Sequence, residues 1–98
     1  MVMYVENSGE SLEEAIIILE AESHREGVAS EYEYLERRFG KHGKDWELER
    51  QSLLEKGDKY YDRMDLIFPD GTKKIIYFDI TSFFMETMAL FKELLEKE

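Results

Sequence analysis

Phe68-Pro69-Asp70-Gly71-Thr72 divides two runs of strand-forming residues, Lys59 to Phe68 and Lys73 to Ile80. Proline at the first turn position, aspartate at the second and glycine where a positive φ is needed specify a type I turn with a G1 bulge. Such a turn sets Phe68 opposite Thr72. One sheet face then pairs Leu66 with Lys74, Met64 with Ile76, Asp62 with Phe78 and Tyr60 with Ile80. The other pairs Ile67 with Lys73, Asp65 with Ile75, Arg63 with Tyr77 and Tyr61 with Asp79. The first face holds more apolar side chains and is expected to lie beneath helices.

Upstream, Trp46, Leu48, Arg50, Ser52 and Leu54 alternate with Glu47, Glu49, Gln51, Leu53 and Glu55, the period of a strand. Lys56-Gly57-Asp58 joins it to the next. With a turn of those three residues, Glu55 opposes Lys59, and Leu54, Leu48 and Trp46 join the covered face. Arg50 also falls there, diagonal to Asp62. Either charge alone would be costly to bury, so an Arg50–Asp62 pair is expected.

Residues 11–40 read as two helices. Ser11-Leu12-Glu13-Glu14 has the form of a capping box, and Leu12, Ala15, Ile16 and Leu19 follow at helical spacing. Ile16-Ile17-Ile18 suits a strand equally. Gly27 marks a break. Val28, Tyr32, Leu35 and Phe39 then form an apolar stripe, with Glu31, Glu33, Glu36 and Arg37 opposite and Gly40 as the stop. At the other end, Ser82 to Glu98 reads as a helix capped by Thr81 or Ser82. Phe84, Met88, Phe91 and Leu95 form one of its stripes, and Phe83, Leu90 and Leu94 a second. The expected fold is α+β: two N-terminal helices, a three-stranded antiparallel meander and a C-terminal helix, with the helices on one sheet face. Residues 1–98 make a single domain.

Charge and composition narrow the function. The chain carries a formal charge of −10, and residues 1–36 hold ten glutamates against Arg25 alone. Such a field repels phosphate backbones and anionic lipid, so neither nucleic acid nor membrane is an expected partner. Arg37, Arg38, Lys41 and Lys44 make a local basic loop, which either takes an anion or offsets the acids beside it. There is no cysteine, no long apolar run and no signal-peptide pattern at the start, which points to the cytoplasm.

Catalytic constellations are thin. Glu20 and His24 stand at i, i+4, but two ligands do not make a metal site. Asp62 and Asp65 fall on opposite sheet faces. No serine sits in a nucleophile elbow, and His24 and His42 show no pairing spacing. No enzyme, cofactor or metal is expected. The candidate binding residues are Arg63, Tyr77, Tyr61, Asp65 and Asp79, neighbours on the sheet face without helices. Tyr and Arg offer large contact area with a polar tip, the chemistry of interface hot spots, although cross-strand pairing would also account for them. The expected function is a protein-binding or regulatory module that forms a homodimer, acting through this face or the C-terminal helix. Alternatives are an acidic inhibitor or immunity-type protein engaging a basic enzyme, and a small-ligand protein with a pocket between helices and sheet.

Overall fold

The computed structural model describes residues 2–84. In chain order these form β1 (Met3–Val5), β2 (Ile16–Leu19), α1 (His24–Phe39), β3 (Glu47–Lys56), β4 (Lys59–Ile67) and β5 (Lys73–Asp79), and a short helical segment spans residues 81–84. The five strands make one mixed sheet in the order β1-β2-β5-β4-β3, in which only β2 and β5 run parallel. The expected meander is therefore three strands of a five-stranded sheet, and one of the two expected N-terminal helices is absent.

The missing helix is β2. At Ser11 the helical signal produces a single turn: the Glu14 amide donates to Ser11 Oγ at 3.2 Å and the Ala15 amide to Leu12 O at 3.3 Å. Three successive isoleucines follow. Their branched side chains are stiff at χ1 and pack better on a pleated surface than in a helix. As a strand they also divide by face, with Ile16 and Ile18 fully buried and Leu19 exposed. The working cap lies twelve residues further on, where the Glu26 amide donates to Ser23 Oγ at 3.1 Å and Glu26 Oε1 accepts the Glu22 amide at 2.9 Å.

From Ser23, α1 runs through Gly27 and ends at Gly40, whose φ is +105° and whose amide donates to Glu36 O at 3.0 Å. Its buried positions are Gly27, Ser30, Glu31, Tyr34 and Leu35. That stripe is rotated from the expected one because Gly27 and Ser30 let the backbone approach closely. Val28, Tyr32 and Phe39 are left at the margins. Tyr34 meets the Phe78 ring edge-on at 5.7 Å, and Leu35 enters a core of Ile16, Ile18, Trp46, Met64, Leu66, Ile76 and Phe78. Each such fully buried side chain stabilises the fold by about 1.5–3 kcal/mol.

The bend at Pro69 is as expected. Phe68 N donates to Thr72 O at 2.9 Å and Gly71 N to Phe68 O at 2.8 Å, with Gly71 at φ +89°. Every β4–β5 pairing from Tyr61 with Asp79 to Ile67 with Lys73 follows the expected register. The β3–β4 turn is tighter than expected. Gly57 adopts φ +64°, Lys56 pairs with Lys59, and the register moves by one residue until an irregularity between Leu48 and Arg50 restores Leu48 opposite Leu66. Arg50 consequently aligns with Asp65 and is exposed, and the expected Arg50–Asp62 ion pair does not form. Asp62 faces Glu31 instead, a residue expected on the outer surface of α1 and found fully buried.

The short helical segment packs on the same sheet face as α1. Asp79 Oδ1 caps it, accepting Thr81 N at 3.0 Å and Thr81 Oγ1 at 2.6 Å, while Ser82 Oγ donates to Ile18 O at 2.6 Å. Phe84 stacks on Tyr60 with ring centroids 3.6 Å apart. The remainder of the expected C-terminal helix, with Met88, Leu90, Phe91, Leu94 and Leu95, lies outside the described residues. Among the described residues no helix is long and apolar enough to cross a membrane.

Candidate functional site

Strand alternation and the pairing register place Arg63, Tyr77, Tyr61, Asp65 and Asp79 together on the sheet face opposite α1. Arg63 sits directly across from Tyr77 and Tyr61 across from Asp79. The parallel pairing of β2 brings Ile17 beside Asp79, and β1 continues the row with Val5 opposite Ile17 and Met3 opposite Leu19. On the far side the row continues to Leu54, which was expected on the covered face but is turned to this one by the one-residue shift and pairs with Tyr61. No described helix covers this face.

The five candidates differ in how they meet solvent. Tyr61 and Asp79 are buried at the centre of the row, flanked by Leu54 and Ile17, whereas Arg63, Asp65 and Tyr77 remain partly exposed. Arg63 Nε donates to Asp65 Oδ1 at 2.9 Å and Nη2 to Asp65 Oδ2 at 3.4 Å. This fork, together with the Asp65 charge and the neighbouring Tyr77, pushes the guanidinium further up from its ordinary value, so it remains a cation. Asp79 is engaged in capping the helical segment and lies 4.0 Å from Lys59 Nζ.

Two features of this face were not read from the sequence. The first is an apolar strip. Met3 (51% exposed), Val5 (42%) and Leu19 (37%) belong to it, and Leu53 is the other large hydrophobic exposed among the described residues. The signal was available in the alternation of Met3-Tyr4-Val5 and Ile16-Ile17-Ile18-Leu19, once those segments are taken as strands. The second is ionic self-matching: Lys56 pairs with Glu13 at 3.7 Å, Lys59 with Asp79, Arg63 with Asp65, and Lys73 with Glu49 at 3.2 Å. On a chain of net charge −10 this surface is close to neutral.

Elsewhere the chemistry is structural. In the basic loop, the Lys41 amide donates to Asp45 Oδ2 at 2.7 Å, Trp46 Nε1 donates to Gly40 O at 2.8 Å, and His42 stacks on Trp46 at 4.5 Å. Arg38 donates to Ser8 O at 2.7 Å, and Arg37 lies over the Tyr4 and Tyr34 rings at 5.2 and 5.5 Å. Among the described residues no three of His, Cys, Asp and Glu are grouped to hold a metal ion. Comparison with known protein families, with curated proteins and with solved structures finds no match.

Proposed function

We propose that the chain is a small protein-binding module of regulatory character, and that a partner polypeptide docks on the sheet face opposite α1. Arg63, Tyr77 and the strip of Val5, Ile17 and Leu19 are its contact residues. The observation that carries this reading is a contrast on one surface: apolar side chains stay exposed where the ionic ones already match each other. A contiguous apolar surface of this kind is costly to leave in water and marks association sites. Arg and Tyr beside it are the residue types that contribute most when a partner excludes water. Because the face is near neutral, it is also the part of this acidic molecule that least repels another protein.

The test is capture of partners from the native cell with the wild type, with Val5→Lys/Leu19→Lys, with Arg63→Ala/Tyr77→Ala, and with the α1 control Glu33→Lys. The reading expects a protein retained by wild type and control and reduced by about tenfold or more with both face variants. Light scattering on the isolated chain separates out a second copy as the occupant: the wild type then runs as a dimer and the face variants as monomers. Retention that ignores both face variants, while they fold normally, overturns the proposal.

A further inference from the structure

Glu31 is the least expected side chain in the core. It is fully buried in the middle of α1, and among the described residues neither carboxyl oxygen has a hydrogen-bond partner. Asp62 of β4, itself 7% exposed, faces it. Two carboxylates can only accept hydrogen bonds, so in the doubly charged form this contact offers repulsion and no bond. A single proton changes the chemistry: Glu31 then donates an O–H···O⁻ bond to Asp62, and the pair carries one charge instead of two.

Among the described residues the surroundings supply no other remedy. On α1 the adjacent titratable group is Tyr32, whose phenol is held above its ordinary value by burial and by the charges of Glu31 and Asp62. On β4, Tyr60 lies two residues before Asp62 on the same face and is stacked on Phe84. β3 places Leu53 opposite Asp62 and the exposed Glu55 opposite Tyr60, and β5 places Phe78 opposite Asp62. The helical segment adds Phe83 against Gly27, four residues before Glu31. Among the described residues no cation faces the pair.

We propose that Glu31 and Asp62 share one proton and together form a proton-dependent latch that holds α1 on the sheet, closed while the proton is present and released when it leaves. Burial, reinforced by the closeness of Asp62, pushes the Glu31 carboxyl well above the usual range, in the direction the latch requires. The latch is independent of the uncovered face, which lies on the other side of the sheet.

Two measurements test it. Carbon-13 spectra of the side-chain carboxyls follow Glu31 in the intact wild type; the expected result is a Glu31 resonance still in its protonated position above the ordinary carboxylate range, moving only at higher pH. Amide protection factors then report release: α1 protection is expected to fall by about tenfold or more relative to β4 and β5 as Glu31 titrates. In Glu31→Gln, whose amide donates permanently to Asp62, the α1 protection is expected to stay level over that range. A Glu31 resonance that titrates as an ordinary carboxylate overturns the proposal without any variant. So does a titration of Glu31 that leaves α1 protection unchanged.

Discussion

Phe83 packs its ring against the bare Cα of Gly27, so closely that an added Cβ would lie 2.6 Å from three ring carbons. α1 and the start of the C-terminal helical segment thus meet at a position that admits no side chain. Gly27→Ala gains about 1 kcal/mol of helix propensity, but overpacking this contact costs about 1–3 kcal/mol. The expected outcome is a net loss of stability, read as a lower urea midpoint. Phe83→Leu in the same chain is expected to recover part of it, which a double-mutant cycle would show as coupling between the two sites.

Two serines with the same local sequence pattern are expected to behave differently. Ser23→Ala removes the cap of α1, with a loss of about 1 kcal/mol. Ser11→Ala removes an oxygen serving one isolated turn and is expected to change stability by less than about 0.5 kcal/mol. Thermal unfolding of the two variants side by side decides it, and equal losses would mean that the Ser11 turn matters more than its single amide suggests.

Arg63 is held at the surface by its fork to Asp65. A solvent-screened ion pair of this kind contributes little to stability, so Arg63→Met is expected to leave the unfolding midpoint nearly unchanged. A clear fall in the midpoint would show that Arg63 serves the fold and is not spare for binding.

Stability is expected to fall on both sides of the mildly acidic range, for opposite reasons. Glu31 has its carboxyl raised in the folded state, so the folded chain holds that proton more tightly than the unfolded one. Its contribution is complete below the ordinary carboxylate range and is lost as pH rises through the raised value. Asp70 is lowered, because Thr72 Oγ1 and N donate to its Oδ1 at 2.6 and 3.0 Å. Its contribution is present above the ordinary aspartate range and is lost as pH falls through the lowered value. Denaturation across pH is expected to lose the alkaline slope in Glu31→Gln and to soften the acid slope in Asp70→Asn.

The parts of the fold legible in the sequence are those set by local stereochemistry. Pro69-Asp70-Gly71 determines its own bend, and every pairing of β4 with β5 follows from it. Gly40 stops α1 where expected. What was not legible depends on distant partners. Ser11-x-x-Glu14 and Ser23-x-x-Glu26 are equivalent as patterns, and only the second continues into a helix. The difference is that Ile16, Ile17 and Ile18 find an open edge on β5, some sixty residues away. Glu31 was misplaced for a related reason: its burial depends on the close approach allowed by Gly27 and Ser30, and on Asp62 opposite. The β4 and β5 residues of the candidate face share the expected register, but its apolar strip belongs to β1 and β2 and so could not be seen while that segment was read as a helix.

The parallel joint between Ile16 and Phe78 also bears on the order of folding. The hairpins of β3, β4 and β5 close through short turns and can zip up locally, whereas β2 must cross a long stretch of chain to reach its neighbour, a slow step in loop-closure terms. The three-stranded ribbon is therefore expected to exist first, with β5 as a temporary open margin that β2 later seals. Pulse-labelled hydrogen exchange would register this as early protection at Met64 and Ile76 and late protection at Ile16 and Ile18. Equal timing would mean that the two ends are drawn together before any strand forms.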